Sequence, residues 1–360
     1  MPPNATKCEN IEVKLTEDEP MIESKSPKLP SRGLNKQNAL VLGVVHVAAL
    51  CTLHLLTSDA LVGIIFLFFV FNLSTTMVRM SENCVSLNSL KSLKSLTHFH
   101  SQNFHTQGNH RLWTHKSYET STAIKWILSI VNTGTVMHSI QSWASDHRMH
   151  HMYEDTHPHL DPYSITEGFF HAHVGGILKA RTEFYNVRQL EVVKEMYMSE
   201  WSKPADFKLV KFNNKYYMPL MMVMAFGVPI TVFHYYLKTS WETAWAATFL
   251  RIVMVWHSTW LVNSLAHWAG DKPFTEQHSS CENVIVSIFA MGEGYHNYHH
   301  SYPKDYRASR NCRGFNLSAV LLESMRLLGL VWDCKFVEDH NIEENPGSSI
   351  DFNRIKYAVK

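Results

Sequence analysis

Apolar runs of bilayer length are what most restrict the folding of this chain. Residues 38–56 (NALVLGVVHVAALCTLHLL) and 60–78 (ALVGIIFLFFVFNLSTTMV) are separated only by Thr57, Ser58 and Asp59. Each approaches the ~20 residues that a membrane-crossing helix needs, so the pair predicts a helical hairpin. A second pair repeats the pattern at residues 217–237 (YMPLMMVMAFGVPITVFHYYL) and about 241–263 (WETAWAATFLRIVMVWHSTWLVN). Pro229 and Arg251 weaken that signal, but a bundle interior accommodates both, because neighbouring helices satisfy the freed or charged groups.

Four spans joined by two tiny turns put both termini, the middle segment and the C-terminal segment on one side. Nearly every Lys and Arg falls there, Lys238 being the exception, and the positive-inside rule makes that side cytosolic. The expectation is an all-α, polytopic membrane protein: four transmembrane helices in two hairpins carrying a cytosolic helical cap. A soluble protein with four buried helices is the alternative, disfavoured because the apolar residues cluster into span-length runs. His46 and His54, inside the first run, are expected to pack their polar edges within the bundle. Residues 1–37, rich in Lys, Glu, Pro and Ser, read as a disordered cytosolic tail without a cleavable signal peptide, and residues 333–360 as a C-terminal tail. A net charge of +1 provides no basic face for nucleic acid. The six cysteines contain no CxxC pair, which argues against a disulfide framework or a thiolate metal site.

The cap carries the chemistry, in three histidine clusters: HRLWTH at 110–115, HRMHH at 147–151 and HNYHH at 296–300. In the second and third the spacing is i, i+3, i+4. On a helix this sets His147, His150 and His151, and likewise His296, His299 and His300, on one face. Neutral imidazole ligates iron, zinc, copper or nickel. With His110 and His115 these eight histidines exceed the three or four protein ligands of one zinc site, so two metals are the natural reading. Asp146 and Glu293 are candidates to orient rings from behind, with a helix cap as the other role open to Asp146. Residues 79–105 (RMSENCVSLNSLKSLKSLTHFHSQNFH) read as a polar loop or amphipathic surface segment, with His98, His100 and His105 as lesser candidates for the metal site.

From Asn38 to about Trp332, residues 79–105 apart, the chain resembles the membrane-bound fatty acyl-CoA desaturases of the stearoyl-CoA (delta-9) type. The resemblance rests on NHRLWTHKSY (109–118), DHRMHH (146–151), TWLVNSLAHWAG (259–270) and GEGYHNYHHSYPKDYRAS (292–309). It implies a domain over 38–332 that holds two Fe(2+) ions on His110, His115, His147, His150, His151, His267, His296, His299 and His300, with Asn263 acting through water. His267 enters only through the resemblance, since one histidine after a span is ordinarily a polar helix end. The implied activity is oxygen-dependent insertion of a cis double bond, at delta-9, into a saturated fatty acyl-CoA, with O2 as co-substrate. The resemblance also implies that electrons come from cytochrome b5 and its NADH-dependent reductase; no HPGG-like haem element is fused here, so that donor would be a separate protein. The implied location is the endoplasmic reticulum membrane, with the histidines cytosolic. Trp143, Thr259 and Trp260 would wall an apolar tunnel; Asn38, Asp146, Lys179 and Arg181 fall at or beside contacts to the CoA head, although basic residues on that face could equally meet lipid phosphates.

The chain departs from the family at Ser145, where an Arg is usual, at His138, where an Asn is usual, and in the PHLDPYS turn (158–164). The segment 79–105 is the largest departure, inserted where a membrane helix should continue. It must loop out or displace His110 and His115, because polar backbone cannot remain unpaired in lipid. Three other readings stay open. They are a di-iron membrane fatty acid hydroxylase, a histidine-rich metal transporter, and a variant inactivated by residues 79–105.

Overall fold

The computed structural model describes residues 32–56, 106–309, 315–342 and 357–359. From Gly33 onward these belong to one folded unit. The predicted span at 60–78, the segment 79–105 and its three histidines lie outside the described residues.

Helix α1 (Lys36–Thr52) begins where the Asn35 side chain accepts a hydrogen bond from the Asn38 N–H at 3.1 Å, and it tightens into a 3-10 turn over Leu53–Leu55. An Asn at this position satisfies one of the donors that a helix start leaves free. The Leu55 carbonyl accepts from Thr243 at 3.1 Å, while His46, a few turns earlier, meets His257. Those two contacts fix α1 antiparallel to the helix carrying Thr243 and His257. His46 thus packs inside, as expected, whereas His54 is exposed.

The next described stretch begins with a π-helical turn at Thr106–Thr114, followed by α2 (Thr122–Asn132), α3 (Ile140–Tyr153), α4 (Glu183–Met198) and α5 (Pro204–Lys215). Ser121, Ser139 and Thr182 cap α2, α3 and α4 with their hydroxyls. Leu112, Trp113, Ile140, Met149, Met196 and Leu209 are fully buried in the core these elements share.

The predicted span at 217–237 is a continuous helical run, Tyr217–Tyr236, that alternates α and π turns. Pro229 lies inside it without an N–H to donate, and wide i→i+5 turns at Met222–Gly227 and Val232–Tyr236 flank the α stretch that contains it. After a turn with Lys238 at φ 56°, α6 (Trp241–Trp268) runs 28 residues, about 42 Å at the usual rise. It continues five residues past the predicted end at 263 and so carries His267. Arg251 is accommodated by the carbonyls of Gly134 and Ala225, each at 3.1 Å. Among the described residues, Lys36–Leu55 and Tyr217–Tyr236 are long and apolar enough to cross a membrane. Arg251, His257, Ser258, Thr259, Asn263 and Ser264 dilute the apolar character of α6, which is not among them.

Beyond α6 come α7 (Val284–Phe289), α8 (His296–Ser301) and α9 (Leu317–Leu327). The chain is mostly helical but not wholly so. Strand β1 (Glu119–Thr120) pairs antiparallel with β2 (Val331–Trp332), and β3 (Lys335–Phe336) with β4 (Ala358–Val359). Packing continues past Trp332: Cys334 and Val337 are buried, so 333–342 is part of the folded body.

The loop between α7 and α8 is closed by Asn283 N–H donating to the Gly294 carbonyl at 2.7 Å. A Cβ on Gly294 would collide with the Asn283 carbonyl and the Ser287 backbone. Gly294→Ala is therefore expected to destabilise the fold by about 1–3 kcal/mol, the usual range for an overpacked site. Thermal unfolding in detergent checks it, and an unchanged midpoint would contradict this account of the loop.

Candidate metal centre

The first cluster is positioned by backbone geometry that an α-helix does not provide. Five residues apart, His110 and His115 would sit about 140° apart around an α-helix at 100° per residue. In the π turn the His115 N–H reaches the His110 carbonyl at 3.2 Å, an i→i+5 bond that brings both rings to one side. Neither is displaced. The expected alternative, that residues 79–105 push this pair away, does not hold.

The second and third clusters lie on α3 and α8. Each divides its rings in the same manner between two groups. His147 and His151 of α3 join His110, His115 and His299 of α8 in a group of five; His150 of α3 joins His267 of α6 with His296 and His300 of α8 in a group of four. Within each group one ligand nitrogen per ring lies within 4.8 Å of all the others. The two groups abut where the His151 and His300 rings stack, with centroids 4.2 Å apart. All nine predicted histidines are thus brought together, His267 included.

The nitrogens meet in a way that protons alone cannot satisfy. In the group of five the Nε2 atoms follow one another at 3.0 Å (His110 to His299), 3.1 Å (His299 to His151), 3.1 Å (His151 to His147) and 3.0 Å (His147 to His115). A ring nitrogen has one hydrogen or one lone pair, yet His299, His151 and His147 each face two neighbours. In the group of four, the buried Nε2 atoms of His150 and His267 have no hydrogen-bond partner among the described residues. A cation accepting all these lone pairs removes both conflicts, so the donor set fits metal ions and forms a metal site.

The electrostatics agree. Burial, together with the charges of neighbouring imidazoles, pushes His115, His147, His151, His296, His299 and His300 well below the ordinary histidine pKa, which keeps them in the neutral, ligating form. Burial acts the same way on His150, but Asp161 outweighs it and raises the pKa.

Carboxylates orient the rings from behind. His110 Nδ1 faces Glu293 at 3.1 Å, His150 Nδ1 faces Asp161 at 2.9 Å and His267 Nδ1 faces Glu154 at 3.1 Å. The other Glu154 oxygen contacts His300 Nδ1. Such partners fix which nitrogen points inward. Burial alone would raise the Glu293 carboxyl, but Arg111 and His110 hold it at about 2. Burial opposes ionisation of Glu154 likewise, and His267 leads the histidines that keep it well below the carboxylate range.

Glu293 was anticipated; Glu154, Asp161 and Arg111 were not. Their signal was weak: Glu154 follows His150 and His151 by one turn, Arg111 adjoins His110, and Asp161 lies in the altered PHLDPYS turn. Asp146 takes neither role first expected. It lies in the middle of α3, whose cap is Ser139, and its carboxylate accepts from Tyr185, Gln189 and Arg181. Asn263 is buried one turn before His267. Trp143 stacks on His147 at 4.8 Å. Thr259 donates to the Val255 carbonyl at 3.0 Å, and Trp260 is buried beside Trp256. Asn38 donates to the Ile177 carbonyl at 2.8 Å, Lys179 pairs with Glu167, and Arg181 lies over the Tyr185 ring.

The fatty acid desaturase family model matches residues 95–308. Human stearoyl-CoA desaturase is 40% identical over 234 residues, 64% of this chain and 62% of its own. Stearoyl-CoA desaturase 2 of Mus musculus is 40% identical over 237 residues, covering 64% and 63%. The delta(9)-fatty-acid desaturase fat-7 of Caenorhabditis elegans is 38% identical over 246 residues, covering 66% and 68%. The chain thus spans less than two thirds of the length of the two mammalian relatives. With more than half of its residues matched by the family model, and the matched region containing all nine clustered histidines, this chain belongs to the fatty acid desaturase family.

Proposed function

We propose that the protein is an acyl-CoA desaturase that introduces a cis double bond, at delta-9, into a saturated fatty acyl-CoA. The balanced reaction is –CH2–CH2– + O2 + 2 e⁻ + 2 H⁺ → –CH=CH– + 2 H2O. The observation that carries this reading is the convergence of nine buried imidazoles into a group of five and a group of four with carboxylates behind them. Two iron ions held there, with Asn263 reaching one through water, would supply the oxidising power and the site where dioxygen is reduced. The chain's own residues hold that centre in place: Glu293, Asp161 and Glu154 fix the tautomers, and the buried surroundings exclude bulk water.

Substrate would lie between the stem helices and the cap. Trp143, Thr259 and Trp260 would form its apolar wall, and Trp143 stacks directly on the His147 ring. Asn38, Lys179 and Arg181 cluster where α1 meets the cap, since Leu34 and Lys179 form a backbone bridge. They suit the polar CoA head, with Asp146 holding Arg181 in place. Electrons would come from cytochrome b5 and its NADH-dependent reductase. Four spans in the endoplasmic reticulum membrane, with both termini and the histidines cytosolic, complete the reading.

The hydroxylase alternative uses the same centre, and the relatives' names favour desaturation. A transporter would carry ligands at mid-membrane, whereas these groups lie at the cap end of α6. Expression in a desaturase-deficient yeast, with and without residues 79–105, followed by gas chromatography of fatty acids, tests the proposal. Monoenes are expected. Accumulation of both forms without monoenes would overturn it, and rescue by the shortened form alone would assign the inactivity to that segment.

A further inference from the structure

On the seam between α1 and α6, three imidazoles outside the metal groups form a hydrogen-bonded row. His46 Nδ1 lies 2.7 Å from the Leu42 carbonyl. A carbonyl only accepts, so this nitrogen carries the hydrogen and the neutral ring's Nε2 is left as an acceptor. The roles of the neutral rings then follow one by one. His257 Nε2–H donates to His46 Nε2 at 3.1 Å and His173 Nε2–H to His257 Nδ1 at 2.9 Å, which leaves His173 Nδ1 facing Ser264 Oγ at 2.9 Å. Each of the three contacts from the Leu42 carbonyl to His173 then holds one hydrogen.

The row joins three separate elements: α1, α6 and the π turn at His171–Gly175. It also surrounds one side chain. The His46 ring stacks with Trp260 at 6.4 Å between centroids, while His257 and His173 meet it edge-on at 5.2 and 5.8 Å. Trp256 stacks beside Trp260 at 5.6 Å. The Ser264 hydroxyl donates to the Trp260 carbonyl at 2.9 Å, so the row ends on the residue it encloses.

We propose that His46, His257 and His173 are positioning residues that fix the Trp260 ring and thereby the length of acyl chain its apolar wall accepts. This rests on the desaturase reading above. Apolar neighbours could fill the same volume, but they would leave ring orientations free to exchange. Hydrogen bonds at both edges of His257 prescribe one orientation for each ring. Where water is scarce, a broken member cannot be replaced by solvent. A metal does not suit the row, because His257 already uses both nitrogens within it.

The test uses the full chain in lipid nanodiscs labelled with 5-fluorotryptophan, with the Trp260 resonance assigned through Trp260→Phe. The same variants are assayed for products in desaturase-deficient yeast. His257→Leu breaks the two central bonds. His257→Gln retains a donor and an acceptor, because an amide separates N–H and C=O much as imidazole separates its nitrogens. In His257→Leu the Trp260 signal is expected to shift and broaden, and the ratio of shorter to longer monoenes to change about tenfold, the scale set by one methylene in an apolar pocket. His257→Gln is expected to restore both. An unmoved Trp260 signal in folded His257→Leu overturns the proposal whether or not product forms. Absence of monoenes from every form, the unaltered chain included, would instead sink the desaturase reading and leave the fluorine signal to judge the cage. Should His257→Leu not accumulate, His46→Leu and His173→Leu break the row at its ends, and unchanged Trp260 signals in both overturn it.

Discussion

Glu154→Ala is expected to empty the group of four histidines. One carboxylate holds two rings, with His267 Nδ1 at 3.1 Å and His300 Nδ1 in contact with its other oxygen. The Ser280 N–H also donates to it, at 3.3 Å. Loss of one such partner typically weakens metal binding 10- to 100-fold, and Glu154 serves two ligands, so the loss should lie at or beyond the upper end, about 100-fold. The mutation also removes the negative charge nearest this group and strips His300 Nδ1 and the Ser280 N–H of their partner, while His267 Nδ1 keeps Ser279 Oγ at 2.8 Å. Metal content per chain after dialysis is the measurement, read beside monoene yield. Glu154→Gln, which keeps an acceptor but not the charge, should fall between. Alanine protein retaining full metal and activity would show that the ring orientations are set elsewhere.

Arg111→Leu should produce the largest loss of stability. Arg111 is 1% exposed, and its guanidinium pairs with Glu293 at 2.6 Å while also donating to the Tyr306 carbonyl. Removing one member of a buried ion pair typically costs about 3–5 kcal/mol, because the remaining charge is stranded. Here the stranded carboxylate is the one behind His110, so the group of five is expected to loosen as well. Thermal unfolding in detergent should show a strongly lowered midpoint, partly recovered in the Arg111→Leu/Glu293→Gln double variant, where no charge remains. If the double variant is no better than the single one, stranded charge is not the cause.

Much of the site was legible because its ligands repeat at helical intervals. The i, i+3, i+4 spacing in HRMHH and HNYHH requires only that each segment be helical, and α3 and α8 are. His110 and His115 were legible as neighbours from their short separation, but not the π turn that brings them to one side, which residue identity does not announce. His267 is a single residue on α6 and became visible only through its surrounding motif. Glu154, Asp161 and Arg111 act through tertiary contacts: Glu154 meets His267 and His300 from distant parts of the chain, and no local pattern encodes that meeting. The apolar runs located α1, the Tyr217–Tyr236 helix and α6 to within a few residues at most ends. The end of α6 was misjudged because polar Ser264 and His267 resemble a helix terminus when their partners are out of view. The two-residue strands escaped notice because their pairing, Glu119 with Trp332 for example, is long-range and too short to leave a period-two pattern.

The way α3 and α8 share out their rings has a mechanical consequence. Each helix sends an i, i+4 pair to one group and its odd ring to the other, so turning either axis moves ligands of both groups at once. The two ligand groups cannot be tuned apart by adjusting a single helix; they form one gauge, in which their spacing is set by the pitch of the backbone.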